Sequence, residues 1–117
     1  MYVPDQYAER AFYESLGFIT TYEGDEFPGF LALQHEECTF GLQRASSQHP
    51  TYSAGMRWQF ELGTPAELDR LIEISAAQGF EHRVVTEEGG ARFRTRNLIV
   101  RAPSGTEVWF EGPNELQ

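Results

Sequence analysis

Glu107-Val108-Trp109-Phe110-Glu111 alternates at the two-residue period of a strand, so Glu107, Trp109 and Glu111 share one face, Val108 and Phe110 the other. An indole flanked by two carboxylates can hold a flat cation by stacking and charge. The competing reading is a core tryptophan. Arg57, Gln59 and Glu61 line one face of a second alternating stretch, Met56–Leu62, either as a surface ladder with a weak ion pair or as ligand contacts. Arg92, Arg94 and Arg96 also alternate and read as a solvated edge, with an anion clamp as the minority reading. His35, His49 and His82 fall in or near turns with no regular spacing, and His35 beside Glu36, Glu37 and Cys38 makes at most an adventitious metal site. None has a neighbouring serine or cysteine resembling a nucleophile and base pair. A phosphate loop and a dinucleotide fingerprint are both lacking.

The elements that carry these residues are written twice. Asp5 can cap a helix from about Gln6 to Ser15, with Ala8, Ala11, Phe12 and Leu16 as its apolar stripe and Gly17 to close it. Strands are predicted at Phe18–Tyr22, Phe30–Gln34 and Thr39–Arg44, separated by EGDEFPG and HEE. After the strand Met56–Leu62, Thr64-Pro65-Ala66-Glu67 is a capping box with proline at the first helical position. Leu68, Leu71, Ile72 and Ser75 form the inner face of that helix, and Gly79 ends it. Strands follow at about Glu81–Thr86, Phe93–Arg101 and Glu107–Glu111, turned by Glu87-Glu88-Gly89-Gly90 and Pro103-Ser104-Gly105. Strand, helix, three strands, then the same order again: an internal duplication. The helix of each copy covers one sheet face and leaves the other for a cavity.

The bulk composition narrows the partners. With 117 residues, 40% of them hydrophobic, the chain is long enough to bury a core as one domain. A formal charge of −9 disfavours nucleic acid and anionic membrane as partners. No apolar run approaches the roughly 18 residues of a spanning helix, and no basic-plus-apolar leader opens the sequence. The lone cysteine, Cys38, excludes an internal disulfide and fits a reducing cytoplasm.

YVPDQYAERAFYESLGF resembles the opening of the vicinal oxygen chelate superfamily, which includes glyoxalases, bleomycin-resistance proteins and ring-cleaving dioxygenases. The pattern is a strand ending in Asp, then a helix reading A-x-x-F-Y-x-x-x-L-G-F, filled here by Val3, Asp5, Phe12, Tyr13, Leu16, Gly17 and Phe18. RWQFELGTPAELD resembles the start of the second module, and RNLIVRAPSGTEVWFEGP the closing hairpin, although Ala102 and Thr106 stand where the family has Asp and Asn. The resemblance implies an α+β fold of two βαβββ modules whose strands form a curled mixed sheet, a cup, with the helices on its outer face. Residues 1–117 then make one domain: module 1 at about 1–45, a linker at about 46–55 within ASSQHPTYSAG that can double as a flap over the cup, and module 2 at about 56–117.

Enzymes of that superfamily hold a divalent metal with His, Glu or Gln from four strand positions. Carried onto this sequence, the first position precedes Tyr2, the second falls at about Gly41, the third on Arg57 and the fourth on Trp109. None supplies a ligand, so no metal or other cofactor is expected. The resemblance then points to a metal-free binding protein of the bleomycin-resistance type, sequestering a cationic or aromatic drug or metabolite. Its ligand-binding residues are Trp109, Gln59, Arg57, Glu61 and Glu107, with Gly41 and Gln43 on the strand Thr39–Arg44. The alternatives are a metal-dependent lyase or dioxygenase, or a metal-independent isomerase. Small members of this type pair as homodimers, and the short first strand before Pro4 fits an edge completed by a second copy.

Overall fold

Asp5 starts the first helix in the way its position predicts: its Oδ1 accepts from the amides of Tyr7 at 3.0 Å and Ala8 at 3.1 Å. These are first-turn donors that the helix itself cannot satisfy. A computed structural model, describing residues 1–23, 30–48 and 57–116, places strand β1 (Tyr2–Val3) before this helix, α1 (Gln6–Ser15). Gly17 follows at φ +97°, a left-handed conformation that a side chain would strain. Strands β2 (Ile19–Glu23), β3 (Phe30–His35) and β4 (Cys38–Arg44) complete the first module.

The second module repeats the order with β5 (Arg57–Glu61), α2 (Pro65–Gln78), β6 (His82–Glu88), β7 (Arg94–Arg101) and β8 (Glu107–Glu111). Thr64 caps α2 through its hydroxyl, which accepts from the Glu67 amide at 3.2 Å, and Gly79 closes it at φ +71°. Each module builds a four-stranded mixed sheet, ordered β1-β4-β3-β2 and β5-β8-β7-β6. In both, the first strand runs parallel to the last and the other neighbours are antiparallel. The same strand order and sense in both halves is the duplication read from the sequence. Of the expected segments, Met56, His49, most of the EGDEFPG turn and most of the linker lie outside the described residues. No helix among the described residues is long and apolar enough to cross a membrane.

The chain divides into two compact units, Met1–Met56 with Ala102–Thr106, and Arg57–Arg101 with Glu107–Gln117. In the first, Tyr13 is fully buried and meets Phe12, Phe18 and Phe40 edge-on, with ring centroids 5.1, 5.0 and 5.1 Å away. In the second, Phe60 stacks on Phe110 at 5.8 Å, beside buried Leu68, Leu71, Leu98 and Val108.

The apolar stripe expected on α1 is corrected. Ala11 is exposed and Ala8 only half-buried, whereas Gln6 and Glu9 are buried with Phe12 and Tyr13. Distant partners make those polar positions tolerable: Arg44 Nε donates to Gln6 Oε1 at 3.2 Å, and the Ser104 amide donates to Glu9 Oε1. Burial pushes the Glu9 carboxyl above its ordinary range, against the opposing pull of the Ser104 bonds. Glu9 Oε2 and the Tyr13 hydroxyl, one helical turn apart, have no hydrogen-bond partner. The Tyr13 phenol is likewise pushed up, first by burial and then by the Glu9 charge.

Candidate functional site

Strand register determines which side chains of the second sheet share a face. The even-numbered residues Val108, Phe110, Leu98 and Val100 are fully buried. A Cβ at Gly112, on the same alternation, would fall 3.1 Å from Leu68 of α2, so this is the helix-covered face. The opposite face is organised in three registered rows. Arg57, Glu107 and Arg101 form the first, Gln59, Trp109, Ile99 and Arg83 the second, and Glu61, Glu111, Asn97 and Val85 the third.

Alternation thus brings Arg57, Gln59, Glu61, Glu107 and Trp109 onto one surface, as the sequence predicts. Sequence reading missed Arg83, Asn97, Ile99 and Arg101, which antiparallel pairing adds to it. The alternation of Asn97, Ile99 and Arg101 with Leu98 and Val100 is a usable signal in the sequence, overshadowed by the arginines that precede them.

The acids on this face are engaged unevenly. Glu107 accepts from Arg83 Nη2 at 3.0 Å, although Arg57 is its registered neighbour on β5. Glu111 accepts from Gln59 Nε2 at 3.0 Å, and Arg101 lies 3.4 Å from Glu81. A cleft of about 90 Å³ opens at this end, lined by Glu81, His82, Arg83, Ile99, Arg101 and Glu107. The ion pair expected along β5 does not form: no carboxylate among the described residues lies in ion-pair range of Arg57. Its guanidinium carbon instead sits 4.5 Å from the centre of the Trp109 ring. The flat cation expected on that indole is therefore supplied by the chain itself, on one face of the ring. Two buried polar atoms nearby, Trp109 Nε1 and Asn97 Oδ1, have no hydrogen-bond partner among the described residues.

Gly41 and Gln43 lie on the first unit's sheet. A Cβ at Gly41 would meet the Phe30 ring at 2.5 and 2.9 Å, so the missing side chain is where that ring lies. Gln43 is registered between Tyr2 and Phe30. The arginine stripe is also resolved. Arg96 is held by Glu115 at 2.8 Å and Asp69 at 3.0 Å, which removes it from any anion clamp, while Arg92 and Arg94 are exposed.

The metal positions of the resembling superfamily can be tested on this donor set. Gly41 has no donor and its space is filled by Phe30, while the Arg57 guanidinium lies over the Trp109 ring. These residues do not fit a divalent ion, and no group of three or more His, Cys, Asp or Glu among the described residues could hold one.

No family model matches the sequence, and no curated protein does. Solved structures do match. A glyoxalase/bleomycin resistance protein/dioxygenase from Nocardioides is 20% identical, with a TM-score of 0.69 over 98% of this chain and 80% of that one. Lactoylglutathione lyase from Agrobacterium tumefaciens is 18% identical, with a TM-score of 0.71 over 96% of this chain and 88% of that one. A hypothetical protein from S. aureus is 16% identical, with a TM-score of 0.71 over 97% of this chain and 92% of that one.

Proposed function

The chain has the fold of the vicinal oxygen chelate superfamily, and from that premise we propose that it is a metal-independent binder of a flat small molecule. One observation supports this reading: Arg57 and Trp109, which the resemblance puts at two of the superfamily's metal positions, lie against each other with the guanidinium carbon 4.5 Å from the ring centre, and neither is a metal donor. Both modules serve as one domain in this reading, with Trp109, Arg57, Gln59, Glu61 and Glu107 meeting the ligand. Sequestration in the cytoplasm, as in bleomycin resistance, is the activity that asks least of these residues, because no nucleophile and base pair accompanies them.

The test is a screen of melting temperature against aromatic metabolites and drugs, repeated after treatment with a chelator. Binding stabilises the folded chain by mass action, and it should persist without metal. Replacing Trp109 by Ala should weaken binding by about 1–3 kcal/mol, the range for loss of a large aromatic contact. Ligand binding that disappears on chelation and returns with a stoichiometric divalent ion would favour a metal-dependent lyase or dioxygenase instead.

A homodimer belongs to the same proposal. Strand β1, Tyr2–Val3, lies at the edge of its sheet. Edges of this kind tend to pair. Sedimentation at micromolar concentration should report twice the chain mass, and a monomer would remove the dimer from the reading.

A further inference from the structure

Among the described residues Arg57 is a cation without an anion, in a chain where acids outnumber bases 18 to 9. Its registered neighbour, Glu107, is bonded to Arg83, and Glu111 is bonded to Gln59. The guanidinium carbon lies over the Trp109 ring, 4.5 Å from its centre. Contact with one ring leaves the rest of a guanidinium open. The five N–H donors lie in the plane and point outward from its edge, where their fork matches the two oxygens of a carboxylate. The indole thus limits the motion of a side chain that would otherwise lose rotamer freedom on capturing an anion.

A second observation concerns the ring itself. Trp109 Nε1 is buried and has no acceptor among the described residues, although buried N–H groups are nearly always paired. A carboxylate answers the Arg57 edge and brings acceptors to this donor-rich place, whereas an ammonium or amidinium brings none.

We propose that Arg57 and Trp109 form an anion-recognising subsite, and that the ligand is an aromatic carboxylate rather than a cation. The carboxylate takes the edge of Arg57 in a bidentate pair, and the ring of the ligand extends the stack begun by guanidinium and indole. The negative field of the whole chain opposes the approach of an anion. That field is screened beyond about 8 Å at physiological ionic strength, whereas the pair forms in contact. This inference rests on the reading of this sheet face as a small-molecule site and adds the charge of its ligand.

The experiment uses the full chain labelled with ¹⁵N, following the indole N–H of Trp109, assigned with a Trp58→Phe variant. Benzoate, 1-naphthoate and indole-3-acetate are titrated to about 10 mM, a range that detects even millimolar affinity. The matching amines benzylamine, 1-naphthylmethylamine and tryptamine are titrated in parallel. The acids should move the Trp109 signal and the amines should not. Arg57→Ala, at an exposed position that leaves the fold intact, should weaken the acids about tenfold or more, with Arg57→Lys restoring only part of the loss. Amines that bind at Trp109 while the acids do not would overturn the charge assignment and leave the binding site standing. Acids that bind equally well to Arg57→Ala would overturn the role of Arg57. Silence from all six compounds would overturn the subsite and count against the small-molecule reading as well.

Discussion

Glu9→Gln isolates the electrostatic cost of a single buried carboxylate. The Glu9 side chain has no exposure to solvent, with one oxygen bonded to the Ser104 amide and the other unpartnered. Burial raises its pKa in the folded chain above the reference value of 4.5, so folding takes up a proton between those two values. The stability it contributes is fully present below the unfolded pKa and is lost as pH rises through the folded one. Within that window one group costs about 1.4 kcal/mol per pH unit, or roughly 5 °C of melting temperature for a domain of this size. Glutamine can still accept from Ser104 through its carbonyl but carries no charge. Its amide adds an unmet donor, a pH-independent penalty of about 1–3 kcal/mol unless the Tyr13 hydroxyl accepts it. The difference between wild type and variant therefore cancels every other acid, and its slope with pH is the signal. Urea or thermal melts from pH 4.5 to 8 should show the variant gaining on wild type as pH rises from 4.5, with the gain levelling off once the folded pKa of Glu9 is passed. Parallel curves across that range would show that Glu9 ionises without penalty, and the account of its burial would fail.

Gly41→Val should destabilise by about 1–3 kcal/mol, since the Phe30 ring occupies the space the side chain needs; an unchanged denaturation midpoint would mean that the ring has another place to go. Thr64→Ala should cost about 1 kcal/mol by freeing the Glu67 amide at the start of α2. The companion Thr64→Ser should lose far less in the same urea titration, because it keeps the accepting hydroxyl.

Local signals made the helices legible. Asp5 and Thr64 are caps, and Gly17 and Gly79 are stops, so α1 was readable to its ends and α2 nearly so. The buried face of α1 was misread because Gln6 and Glu9 become tolerable only through Arg44 and Ser104, partners 38 and 95 positions away. No local pattern contains them. At the site, alternation alone placed Trp109 between Glu107 and Glu111. Arg57 stacking on Trp109 was not legible, because it follows from the parallel pairing of β5 with β8 and from Arg83 taking Glu107. Charge counting suggested a site for cations, whereas the structure puts the chain's own Arg57 over that indole.

The turn Ala102–Thr106 has a genealogical consequence. It joins β7 to β8 in the second repeat, yet it belongs to the compact unit built by the first, where the Ser104 amide answers Glu9. A duplicated gene begins as two interchangeable halves, and either could be lost or recombined alone. Once the earlier copy carries a buried acid whose donor is encoded in the later one, that freedom is gone. A chain ending at the module boundary would keep the acid and lose its donor, so the first half alone would carry a buried carboxylate without it.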